Sequence, residues 1–417
     1  NAAIGSDGTA TVAISSRDGS LDSNDTIDAA TSVAISTGQD VDLASAINAG
    51  TTIGINAGGT VTAASILNGN GVTVDGGNDV SLVEVAAGTG NADIDGLNIT
   101  LAGAVTAAGT IDVAADNSVT QSGTLTAADI AVRADTGWIN SSATVTAANS
   151  ASLWAGGNVI TSADVNAAAV TIYGGADVAL AEINATTSAD IDAGDELTLN
   201  GEVDATGGAV TIDAGGLITQ NAAIGSDGTA TVAITSRDGS LDSNDTIDAT
   251  AAVAITTGED VDLLSAVTAG TTIGINAGGT VTAAATLNGN GVTVDGGNDV
   301  SLVEVAAGTG NADIDGLNIT LAGAVTAAGT IDVAADNSVT QSGTLTAADI
   351  AVRADTGWIN SSATVTAANS ASLWAGGNVI TSADVNAAAV TIYGGADVAL
   401  AEINATTSAD IDAGDEL

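Results

Sequence analysis

Apolar side chains recur along this chain on two periods. Over a few residues they alternate with polar ones, as in Val170-Thr171-Ile172 and Ile99-Thr100-Leu101, and a period of two puts alternate side chains on opposite faces of a strand. Over longer stretches they form three series, each returning after roughly 20 residues. One runs from Leu21 through Val41, Val61 and Val80 to Leu217. A second runs from Ile14 through Ile35, Ile55, Val74, Ile94, Val113, Val132, Leu153, Ile172 and Ile191 to Ile212. A third runs from Ile27 through Ile47, Leu67 and Val85 to Val203. Three series in one period predict three strands per turn of a coil, each strand coming back to the same inward column one turn later. Between the apolar segments lie Gly, Asn, Asp and Ser, as in Asp75-Gly76-Gly77-Asn78 and Trp154-Ala155-Gly156-Gly157-Asn158, residues that tolerate positive φ and turn the chain sharply. The expected fold is all-β, a parallel β-helix (β-solenoid) of about 20 residues per rung, about 21 rungs and three strands per rung.

The chain also repeats on a larger scale. Asn1 to Leu197 recurs as Asn221 to Leu417, a shift of 220, with 11 differences that all fall within the first 66 residues. It reads as a first 11-rung unit, residues 1–220, and a truncated second one, residues 221–417, in one continuous solenoid. The differences support the inward assignments, because Ile66 becomes Thr286 while the neighbouring Leu67 and Leu287 stay the same. The first rung of each unit is longer, with 23 residues from Ile4 to Ile27, and the excess is expected in a loop spanning Ser16 to Ser20 and Asp22 to Asp25. The chain starts at Asn1 without Met. It therefore reads as a piece of a longer protein that continues in both directions.

Composition narrows the chemistry. There are 50 Asp+Glu against 4 Lys+Arg, and no His, Cys, Met, Pro or Phe. Without His, Cys or Lys there is no imidazole, thiolate or amine for nucleophilic or general-base catalysis, and only carboxylates remain for acid/base work. Zinc, haem and iron-sulfur centres lose their usual ligands, which leaves calcium as the metal to consider. A formal charge of −46 opposes contact with nucleic acid or anionic lipid, since such binding draws on Lys and Arg. No apolar run reaches the roughly 18 residues that suggest a membrane-spanning helix. Yet 45% of residues are apolar, enough to drive folding despite the acidity. A narrow interior of stacked Val, Ile and Leu explains the missing Phe, and ladder hydrogen bonds explain the missing Pro. The lack of cysteine suits a protein exported unfolded to an extracellular or cell-surface location.

The stretch GTLTAADIAVRADTGWINSSATVTAANSASLWAGGNVITSADV resembles the β-helical shafts of filamentous-haemagglutinin-type, two-partner-secreted exoproteins and related giant bacterial adhesins with β-strand repeats. The likeness extends over all 417 residues. It implies a right-handed parallel β-helix, secreted or held at a bacterial surface, that serves as a stalk, adhesin shaft or fibre in cell attachment or matrix assembly. The partners implied are neighbouring copies of the chain or flanking repeats of a longer protein.

Two constellations invite a functional reading. Immediately after the Ile14 series comes an outward column in which Arg133, Trp154 and Tyr173 occupy successive rungs, repeated as Arg353, Trp374 and Tyr393. Planar groups spaced one rung apart can form a self-contained ladder, a lateral contact with another filament, or a platform for sugar rings, which makes a polysaccharide-binding β-helix the alternative to a shaft. The same column places Asp75 with Asp95 and Asp192 with Asp213, where calcium could bridge like charges. Neither the glycine-rich nonapeptide calcium signature nor an EF-hand loop occurs in the sequence. Polysaccharide-cutting β-helices also group Asp residues, and Asp190 and Asp192 share a face, but no basic residue or cleft loop distinguishes them from their ladder neighbours. The reading is of a non-enzyme.

Overall fold

The computed structural model describes residues 3–5 and 8–417. It is an all-β parallel β-solenoid of about 20 turns, each using roughly 20 residues. No helix occurs among the described residues, and so none is long and apolar enough to cross a membrane. The chain forms two compact units, Asn1–Ala205 and Thr206–Leu417.

In the first unit each apolar series becomes one parallel ladder. Ile14 lies opposite Ile35, Ile35 opposite Ile55 and Ile55 opposite Val74, and the ladder continues through Ile94, Val113, Val132, Leu153 and Ile172 to Ile191. Leu21 likewise leads through Val41, Val61, Val80, Ile99, Val119, Ile139, Val159 and Val178 to Leu197. Ile27 leads through Ile47, Leu67, Val85, Val105, Leu125, Val145, Val165 and Ile183 to Val203. Beyond the half-buried first members Ile14 and Leu21, side chains of these columns are almost wholly removed from solvent, with Ile27, Ile47 and Leu67 all at 0% exposure. A one-residue slip would exchange this interior for the Asp, Asn and Thr that alternate with it, so the register is strongly specified. The second unit is built the same way, starting with Ile212 opposite Ile234 and Ile234 opposite Ile255. The 11 positions that differ between the copies obey the same division: only Ile47, which becomes Val267, is buried, and the other ten pairs are exposed or half-buried.

Four details depart from the sequence reading. The inward residue near the end of the Leu21 series is Ile218, opposite Leu241, and Leu217 is only half-buried. The alternation that selects Ile218 continues to Gln220, at 0% exposure. This polar residue fits inside because its amide donates to the carbonyls of Ala222 at 2.9 Å and Thr246 at 3.0 Å, while its oxygen accepts from the Ser243 hydroxyl at 2.5 Å.

Gln220 is not isolated. Gln121, Ser141 and Thr161 are also buried, so the interior is not purely aliphatic. Gln121 donates to the carbonyls of Gly123 at 2.7 Å and Ala143 at 2.9 Å, and Ser141 donates to the Gln121 oxygen. Fully partnered in this way, the polar groups avoid the cost of burial without hydrogen bonds.

The long first rung gains most of its length elsewhere than expected. Ile4 and Ile224 do pair with Ile27 and Ile247 across the longer spacing, but Asp22 and Ser23 belong to the regular strand Leu21–Ser23. In the second unit the corner after Ile224 holds Gly225 and Gly228 with φ of 81° and 84°, a left-handed conformation that only glycine adopts without strain. Part of the corresponding corner of the first unit, like the chain start at Asn1, lies outside the described residues.

Most corner glycines serve a different need from the one the sequence suggested. Among the described residues positive φ is confined to Gly5, Gly8, Gly207, Gly225 and Gly228. Elsewhere the need is space, because neighbouring rungs approach backbone to backbone. A Cβ on Gly38 would lie 2.1 Å from the Arg17 carbonyl oxygen, and one on Gly50 would lie 2.1 Å from that of Ala30.

Candidate functional site

The strands Leu125–Ala134, Val145–Ala155 and Val165–Gly174 carry the aromatic column. Inward Val132, Leu153 and Ile172 fix the phase, and Arg133, Trp154 and Tyr173 therefore turn outward, paired rung to rung. The Arg133 guanidinium carbon lies 4.9 Å from the centre of the Trp154 ring. Trp154 in turn stacks on Tyr173, with centroids 5.5 Å apart and planes 10° from parallel. In the second unit the corresponding values are 5.3 Å for Arg353 over Trp374 and 5.6 Å and 13° for Trp374 with Tyr393. Arg133 also pairs with Asp135, and Arg353 with Asp355.

This stacking limits what the column can do. The indole of Trp154 is covered from the preceding rung by the guanidinium and from the following rung by the phenol. A sugar needs an open ring face, and here chiefly ring edges remain for a ligand. The arrangement is that of an internal cation-π and π-stacked ladder, of a kind that contributes about 0.5–1.5 kcal/mol per contact.

The acidic part of the same face is crowded. Asp75 and Asp95 are opposite each other, as are Asp93 and Asp112. Asp75 accepts from the Asn56 amide at 2.8 Å. The carboxyl of Asp93 is pushed above the usual carboxylate range, first by burial and then by the charges of Asp112 and Asp75. Asp95 is raised as well, by burial first and then by Asp93, Asp75, Asp112 and Asp116. Asp313 and Asp315 show the same shifts in the second unit. On the opposite side of the ledger, hydrogen bonds from Ser150 and Asn149 hold Asp129 low.

These shifts set the sign of a pH effect. A carboxyl raised by folding binds its proton more tightly in the folded state, so its stabilising contribution is complete below the unfolded value and is lost as pH rises through the folded one. Asp129 acts in the reverse sense, but only below the ordinary value near 4. Lowering the pH from 7 to about 4.5 is therefore expected to raise the melting temperature, and the rise should shrink in the variant with Asp93→Asn, Asp95→Asn, Asp313→Asn and Asp315→Asn. A flat or falling profile over that window, followed by circular dichroism, contradicts the crowding.

The calcium candidates divide differently from their sequence pairing. Asp75 and Asp95 are in register, as expected. Asp192 lies opposite Tyr173 in the first unit, and Asp213, in the second, pairs with Arg237 at 3.0 Å. Among the described residues no group of three or more acidic side chains converges to hold a metal.

Trp138, an exposed aromatic already in the sequence, belongs to none of the candidate columns of the Ile14 face. Trp138, on the face of the Leu21 series, is 44% exposed, and Ile160, one turn on, is 41% exposed. The available signal was its position: Trp138 immediately precedes inward Ile139, so the alternation turns it out. Neither Trp138 nor Trp358 has a ring or cation partner among the described residues.

No protein family model, curated protein or solved structure matches the chain.

Proposed function

We propose that this chain is a section of an extracellular fibre or adhesin shaft at a bacterial surface, made of tandem 220-residue solenoid repeats and serving cell attachment or matrix assembly. The observation that carries this reading is the uniform parallel ladder within each unit. Every turn presents the next with the same strand edges and the same apolar columns, so a repeat can be added without inventing a new interface. The resemblance to adhesin shafts and the general right-handedness of parallel crossovers give the coil its proposed hand. The covered faces of Trp154 favour a structural role for the Arg-Trp-Tyr column over sugar binding.

The test is made on the native assembly. Deleting one 220-residue repeat from it should shorten the imaged fibre by about 50 Å, since eleven rungs at roughly 4.8 Å each are removed, while attachment of the cells persists. A particle whose length does not follow repeat number removes the shaft reading, whatever its binding properties.

A further inference from the structure

Each unit carries an indole without a ring or cation partner on its Leu21 face, and in the second unit the residues lining the groove beside it are uncharged, although the Asp397 N–H donates to the groove residue Asn378. Around inward Ile139 the alternation turns Trp138 and Asn140 outward, and Asn140 lies opposite Ile160. The backbone beneath is tied to both neighbouring rungs: the Trp138 carbonyl accepts from Val119 at 2.9 Å, and the Ile139 N–H donates to Asn158 at 2.9 Å. A Cβ on Gly157 would lie 2.7 Å from the Gly137 carbonyl oxygen, so the backbones of the two corners pass closely and neither glycine adds a side chain beside the ring. In the second unit Gly357, Trp358, Asn360, Gly377, Asn378 and Ile380 line an open groove of about 530 Å³. Trp358 is 43% and Ile380 39% exposed.

We propose that this groove binds an uncharged polysaccharide, with a pyranose ring lying on Trp138 or Trp358 and its hydroxyls bonded to the amides of Asn140 or Asn360. Charge selects the occupant. A second copy of the chain brings a further −46, and an anionic glycan is repelled in the same way, whereas a neutral sugar meets no such barrier. A cationic partner is drawn instead to the aspartate columns of the Ile14 face. The pyranose ring matches what the groove offers, since its flat C–H face fits an aromatic platform and its rim of hydroxyls fits a few fixed polar groups. This inference goes beyond the shaft reading and stands or falls separately from it.

The experiment is electrophoresis of the 417-residue chain through native gels containing dextran, hydroxyethyl cellulose, galactomannan or laminarin. At least one should retard it. Changing Trp138→Ala together with Trp358→Ala should weaken that retention about tenfold or more, equivalent to roughly 1.4 kcal/mol. Asn140→Ala with Asn360→Ala should weaken it too, and Trp154→Ala with Trp374→Ala should leave it unchanged. The circular dichroism of each variant checks that the solenoid is intact. Passage through all four gels without delay overturns the proposal. So does equal loss in the Trp138/Trp358 and Trp154/Trp374 variants, or sedimentation showing that Trp138 and Trp358 mediate self-association that these polymers do not affect.

Discussion

Aspartate at position 94 and at its counterpart 314 is expected to destroy the cooperative unfolding transition of the wild-type solenoid, or to lower its stability by about 3–5 kcal/mol. The chain already has Asp at 93 and 95, so neither composition nor strand propensity would account for such a loss. Ile94 is at 0% exposure between Val74 and Val113, where a carboxylate finds only aliphatic neighbours and must be buried unpaired or protonated. Asp95→Asn, one residue away, is expected to move stability the other way, because it removes a carboxyl that burial and its neighbours hold above the usual range. Urea unfolding of Ile94→Asp with Ile314→Asp, beside Asp95→Asn with Asp315→Asn, separates the two faces of one strand. Similar midpoints for both variants would mean that the interior is not where the ladder register puts it.

A single methyl group at Gly123 should be nearly as disruptive. A Cβ there would lie 1.8 Å from the Gly103 carbonyl oxygen and 1.9 Å from its carbon. These are backbone atoms of the preceding rung, and they cannot swing aside as a side chain could. Relief requires the rungs to part, which strains the hydrogen bonds to the Leu101 carbonyl from Ser122 at 2.8 Å and from Gly123 at 3.2 Å. Gly123→Ala with Gly343→Ala is expected to cost at least about 2 kcal/mol. Gly54→Ala with Gly274→Ala provides the contrast, since nothing lies within 4 Å of a Cβ at either position, and an added side chain should be neutral or slightly stabilising by restricting the unfolded chain. Thermal melts that rank the two pairs alike would refute close rung contact as the reason for these glycines.

The sequence by itself determined the strands, their inward faces and the order in which side chains stack. Its two periods leave little freedom: alternation separates inside from outside, and a return near 20 residues fixes which residue lies above which. The Arg133, Trp154 and Tyr173 stack was legible for that reason, as was the pairing of Asp75 with Asp95. Tertiary structure decided whatever depends on the gap between rungs or on a partner distant in the chain. Leu217 and Ile218 are adjacent and both apolar, and the choice fell to Ile218 because Gln220 can satisfy its amide on the carbonyls of Ala222 and Thr246. Glycine at position 123 looks like any turn residue until the carbonyl of Gly103 is seen where its Cβ would be. Trp154 and Trp138 are equally conspicuous as letters in the sequence. Only stacking shows that the first has both ring faces covered, while the second, on another face of the coil, is 44% exposed and has no ring or cation partner among the described residues.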